Sequence, residues 1–199
     1  MGRPETDWVR RGAVNLLGSG LFGEDALTVQ EAELSMLRRL SDSEENILAV
    51  QSNIASTYQT LGQFEKALGM EQEIYNKKVV LMGNLNPSTL IAAICLANTL
   101  SKMRRFDEVR NFAPDRIAAC QRVLGAEHEN TLFLRTIYAR ALFFEDDPEQ
   151  AETILVDVGR IARRVLGPSH CRTVAAEHEL GFVRAPGEVC SAFDFYGAK

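Results

Sequence analysis

The four cysteines, Cys95, Cys120, Cys171 and Cys190, form no Cys-x-x-Cys pair, and only three histidines accompany them in 199 residues. That scarcity argues against a disulfide framework or a zinc module and fits reduced thiols in the cytoplasm. No run approaches the roughly 18 uninterrupted apolar residues of a membrane helix. Met1-Gly2-Arg3-Pro4-Glu5-Thr6-Asp7 lacks the apolar core of a secretion signal. Basic excess is missing too: the net charge is −5, which speaks against a general nucleic-acid partner. With 6 prolines, 14 glycines and 46% hydrophobic residues, the chain is neither disordered nor collagen-like. What is there is enough apolar material for one sizeable core or a short repeat array, expected in the cytoplasm, with neither membrane nor nucleic acid as partner.

That material recurs. Segments opening at Glu44, Asn86, His128 and His170 are separated by a constant step of 42 residues. The same step relates Leu40-Ser41, Met82-Gly83, Leu124-Gly125 and Leu166-Gly167. It also relates Ile54-Ala55, Leu96-Ala97 and Tyr138-Ala139, and again Ala67, Val109 and Ala151. A fixed period of this size signals stacked supersecondary units. Each unit reads as two helices. Leu48, Ile54, Ala55 and Tyr58, and their equivalents at Leu90 and Leu132, fall at helical spacing on one apolar stripe. Gly62, Arg104-Arg105 and Asp146-Asp147-Pro148 mark the turn inside each hairpin. Gly83, Gly125 and Gly167 are placed to close the second helix, and Asn86-Pro87 to open the next one. Pro114 falls inside a second helix, where a kink or break is expected. No helix of such a pair can bury its stripe alone, so neighbouring hairpins must stack.

Val123-Leu124-Gly125-Ala126-Glu127-His128-Glu129-Asn130-Thr131-Leu132 resembles the loop Leu-Gly-x-x-His-Pro-Asp-Thr-Leu of the 42-residue tetratricopeptide repeats of kinesin light chains, and Val165 to Val174 is similar. Ser52-Asn53-Ile54-Ala55-Ser56-Thr57-Tyr58 and Leu61-Gly62-Gln63-Phe64-Glu65-Lys66-Ala67-Leu68 resemble two further stretches of that family. The resemblance covers about residues 44–183. It implies an all-α fold, a right-handed superhelical solenoid of antiparallel helix hairpins. The expected divisions are a degenerate N-terminal capping repeat over 1–43, repeats over 44–85, 86–127 and 128–169, and an incomplete fourth repeat and tail over 170–199. The second and third repeats carry Ile94-Cys95 and Thr136-Ile137 where the family has an Asn pair, so kinesin cargo binding does not carry over. After Ala185-Pro186-Gly187 only twelve residues follow, Glu188 to Lys199. Either Val189, Phe193, Phe195 and Tyr196 form an abbreviated cap, or the array is a truncated one. An uncovered C-terminal end also suggests self-association.

Other motifs have simpler readings. Gly18-Ser19-Gly20-Leu21-Phe22-Gly23 spells a dinucleotide-loop pattern, but the parallel sheet such a loop serves is absent from the expected helices. His170, Cys171, His178 and Cys190 fall short of a metal set, and His128 stands in the column of His170, which reads as a helix-capping position. Met1-Gly2 fits a loose myristoylation pattern without a second anchor. The acidic pairs at helix starts, and Arg160, Arg163 and Arg164 at a helix end, suit the helix dipole. No Ser/His/Asp or Cys/His arrangement is marked, so no catalytic, metal or cofactor site is expected.

The expected function is a non-catalytic scaffold binding a protein or extended peptide on its concave face, lined by first helices. Residues projecting from those helices include Ser52, Asn53 and Ser56, then Ile94, Asn98 and Lys102, then Phe133, Arg140 and Phe143. Asn98 would hold a peptide backbone, Arg140 a carboxylate, and Phe133 or Phe143 an apolar anchor. Both phenylalanines can equally pack between repeats.

Overall fold

The computed structural model describes residues 23–145 and 147–185. These residues form eight α-helices and no strand: α1 Gly23–Arg39, α2 Glu44–Thr60, α3 Phe64–Met82, α4 Pro87–Lys102, α5 Phe106–Val123, α6 Glu129–Phe144, α7 Pro148–Val165 and α8 Cys171–Arg184. The glycine motif before Gly23, the myristoylation pattern, Asp146, Cys190 and the candidate cap from Val189 to Tyr196 lie outside the described residues. The chain divides into two compact units, Met1–Ile74 and Tyr75–Lys199, with the boundary inside α3.

In the first unit α1 packs on α2. Leu34 and Leu37 meet Val50 and Ile54, with Leu27, Ile47, Tyr58 and Met70 packed around them. The hydroxyl of Thr57 donates to Gln30 Oε1 at 2.9 Å across the pair, satisfying two polar groups that are buried there. The described part of the expected capping repeat is thus one helix, α1, which starts close to one 42-residue step before α3.

The second unit holds the helices from α4 onward, and its helix starts are set by side chains. Asn86 accepts from the backbone N–H of Ser88, with Pro87 opening α4. His128 and His170 accept through Nδ1 from Asn130 and Arg172 at 3.1 and 3.2 Å, and Asp147 accepts from Gln150. The histidine column is therefore one of helix caps. Second helices close on Gly83, Gly125 and Gly167, whose φ values are 84°, 106° and 92°. Ser41, one step earlier, takes the same left-handed conformation with φ 49°.

Pro114 does not break α5, which runs through it to Val123. Pro114 and Arg110 are exposed, so the Arg110 carbonyl that loses its helical donor reaches water, while Val109, Ala113 and Cys120 bury the opposite side of the helix. Burial also pushes the Cys120 thiol up to about 11, away from the thiolate form, whereas Cys95 and Cys171 are exposed.

Hairpins close where small residues face each other. Ala139 and Leu142 of α6 pack on Ala151 and Leu155 of α7. Leu132 packs on Val158, Ile161 and Ala162 of α7 and on Ala176 of α8. The leucine column is sealed at Leu48, Leu90 and Leu132, which are 0%, 1% and 1% exposed, and open at Val174, which is 53% exposed.

Candidate functional site

The first helices of the second unit, α4, α6 and α8, lie in sequence with α4 against α6 and α6 against α8. On α4 the exposed row is Ile91 and Cys95, continued by the half-buried Asn98 and Lys102. These are residues i, i+4, i+7 and i+11, a narrow strip along a helix. Ile94 does not join it: the side chain is 4% exposed and belongs to the core, and Ser101 is likewise buried. Three residues after Ile91 the helix has turned to about 60° short of a full revolution, which carries Ile94 off the strip.

On α6 the expected peptide ligands are already engaged. Arg140 points its Nε at Glu179 Oε2, 3.1 Å away, and its Nη2 bonds the other carboxylate oxygen. Its Nη1 also reaches Ser101 Oγ at 3.4 Å. The carboxylate expected from a bound peptide is thus supplied by α8, and the two-pronged pair ties three consecutive first helices together. Phe143 packs edge-on against Phe144 and Phe182, with ring centroids 5.3 and 5.2 Å apart. Phe144 stacks on Phe106 at 4.5 Å, and the Arg104 guanidinium stands 5.1 Å from the Phe144 centroid. Of the two roles expected for Phe143, packing between repeats is the one its surroundings fulfil. Phe133 is half-buried beneath the guanidinium of Arg172, 3.4 Å from the ring centroid.

In the first unit Ser52 turns its hydroxyl inward, donating to the Leu48 carbonyl at 2.8 Å. Asn53 and Ser56 are exposed on α2. Sequence reasoning missed Glu179, Phe182 and Arg172 as partners of the residues it chose. Glu179 lies 39 residues after Arg140, one helical turn short of a repeat, and that offset was the available signal.

The tetratricopeptide repeat family model matches residues 89–130, from within α4 to the start of α6. Two solved structures from Podosopora anserina, of a putative kinesin light chain with nearly identical TPR-like repeats and of a point variant of it, are similar to the chain. Their TM-scores are 0.73 and 0.76, both at 20% identity, covering 98% of this chain and 93% of that one. Over residues 89–130 the sequence is similar to a tetratricopeptide repeat, and the chain's fold is all-α and TPR-like, similar to that of these kinesin light chain structures. Among curated proteins none matches the sequence significantly.

A charge cluster joins α6 to α7. Asp157 of α7 accepts from Arg135 and from Arg160, each at 2.7 Å. The hydrogen bond from Arg135, then that from Arg160, holds its carboxyl below the usual carboxylate range. A depressed folded-state pKa stabilises the fold above the unfolded-state pKa, and the gain disappears as pH falls through the folded value. Asp157→Asn is therefore expected to lower the urea midpoint at pH 6, with the gap to wild type narrowing as pH falls below the usual carboxylate range. A gap that stays constant as the pH is lowered would contradict it. The effect is modest, because Asp157 is partly solvated.

Among the described residues no group of three or more His, Cys, Asp or Glu side chains could hold a metal ion. No described helix is long and apolar enough to cross a membrane.

Proposed function

We propose that the chain is a non-catalytic scaffold that binds a protein or extended peptide along α4, on the strip of Ile91, Cys95, Asn98 and Lys102. Tetratricopeptide repeats generally mediate protein–protein interaction, and the family match covers this helix from Thr89 onward. The observation that carries the reading is the strip itself: it sets an exposed isoleucine, 45% accessible, in line with an amide and an ammonium group on a rigid helix. An apolar anchor beside polar groups that fix orientation is the usual composition of a peptide site. Arg140 and Phe143 act in this reading as the support behind the strip. The cytoplasm is the proposed compartment, from cysteines scattered through the sequence without a paired motif.

The test is quantitative capture of partners from the source cell by wild type and by Ile91→Asp/Lys102→Glu. The double variant is expected to keep its helical circular dichroism and to lose the captured partner at least about tenfold, as loss of a central anchor does. Equal capture by both would sink the assignment. Sedimentation of wild type alone at rising concentration separates self-association, which would appear as a mass increase without any partner.

A further inference from the structure

Where α1 ends and α2 has not yet begun, the chain reads Leu37-Arg38-Arg39-Leu40-Ser41-Asp42. Leu37 is 2% exposed and anchors the end of α1 in the core, whereas Arg38, Arg39, Leu40 and Ser41 are exposed. Backbone bonds close the helix: the N–H of Leu40 donates to the Met36 carbonyl at 3.0 Å, that of Ser41 to Arg38 at 3.2 Å and that of Asp42 to Leu37 at 3.1 Å. Ser41 holds its φ of 49° at this closing position.

The following repeats carry Gly83, Gly125 and Gly167 in this column. Glycine takes a left-handed conformation without steric cost, and a residue with a Cβ does not. Serine is therefore a poorer closing residue than the glycine used elsewhere in the chain, and what it adds is a hydroxyl held in water. The residues before it differ as well. Arg38-Arg39 becomes Val80-Leu81, Arg122-Val123 and Arg164-Val165 in the later repeats. Adjacent arginines also stand at 10–11, 104–105 and 163–164, followed two residues on by Ala13, Asp107 and Leu166; only the pair at 38–39 is followed there by a hydroxyl.

We propose that Ser41 is a phosphorylation site for a serine/threonine protein kinase directed by basic residues. The guanidinium groups three and two residues before the hydroxyl pair with carboxylates of the kinase cleft, a geometry that arginine serves better than lysine. The Ser41 Oγ attacks the γ-phosphorus of ATP; the new O–P bond forms as the bond from that phosphorus to the oxygen retained by ADP breaks, and the hydroxyl proton passes to a base of the kinase. Such a cleft binds its substrate extended, so the last turn of α1 opens first. Helix termini are the cheapest backbone to open, the exposed Arg38, Arg39 and Leu40 hold no part of the core, and Ser41 gives up its strained conformation on release. The product adds roughly two negative charges at an exposed junction, where they stay in water. Ser41 lies in the first unit and the Ile91 strip in the second, and the reaction needs no partner on α4.

The native full chain is incubated with magnesium, ATP and the catalytic subunit of cyclic AMP-dependent protein kinase as the basic-directed probe, and the product is read by intact mass and by mapping of its digested peptides. Phosphate is expected on Ser41. Arg38→Ala/Arg39→Ala should keep the helical circular dichroism and lower kcat/KM at least about tenfold, because two charge-assisted pairs with the enzyme are lost. Ser41→Gly, which installs the residue of the next three repeats, should keep the fold and abolish incorporation at this junction. No incorporation into the native chain, phosphate found only on Ser43 or at other positions, or an arginine-pair variant modified as fast as wild type would each overturn the proposal. So would a peptide of residues 37–45 that is phosphorylated while the native chain is not, since the fold would then hide the site.

Discussion

Arg140→Ala is expected to lower the unfolding free energy by roughly 3 kcal/mol, read from the urea midpoint at neutral pH. The magnitude follows from what the substitution leaves behind. Glu179 is 6% exposed, and its carboxylate receives both prongs of the guanidinium. Without Arg140 that charge must stay buried unpaired, take up a proton or drag α8 toward water, and each choice costs several times a surface ion pair. Arg140 itself is partly accessible, which places the estimate at the lower end of the range for buried pairs. Arg140→Leu/Glu179→Leu removes both charges and should recover most of the loss. A single variant costing less than about 1 kcal/mol would show that the pair behaves as an ordinary surface bridge.

The second large effect is a contrast within one repeat column. Leu132→Ala is expected to cost roughly 3 kcal/mol, because it deletes a sealed side chain packed on Val158, Ile161 and Ala162 and leaves a cavity. Val174→Ala, one step further on, is expected to change stability by less than about 0.5 kcal/mol, since that side chain is half in water. The same denaturation series measures both. Similar costs at the two positions would mean that Val174 is covered in solution by something that seals it as α7 seals Leu132.

The repeat was readable because it is written in residue types that local physics constrains. A left-handed closing position favours glycine at 83, 125 and 167; a helix start favours Asn86, His128 or Asp147; a close crossing of helices favours Ala97 and Ala139. Such choices depend on a few neighbours and survive in the sequence as columns. The binding face was less legible, for two reasons visible at single residues. Ile94 and Cys95 are adjacent, yet one is core and the other exposed, because one residue turns the helix by about 100° and residue type alone does not say which side is covered. Arg140 has the chemistry of a carboxylate receptor, but whether it is vacant depends on Glu179, whose counterpart one repeat earlier is Ile137 and forms no such pair. Isolated residue type does not reveal a partner 39 positions away. Pro114 misled for a related reason: its cost depends on whether the orphaned carbonyl meets water, and there it does.

The pattern of helix contacts in the second unit also bears on how quickly this chain acquires order. Each principal contact joins a helix to its neighbour or to the one after that, as in α4 with α5 and α6, or α6 with α7 and α8. Ring closure between partners so near in the chain carries little entropic cost, so the rate of folding is set by short segments and not by a distant encounter. Any hairpin can serve as the starting point, and growth from it proceeds by addition of adjacent units. During synthesis, α4 and α5 can associate as soon as both have emerged, before α6 has been made.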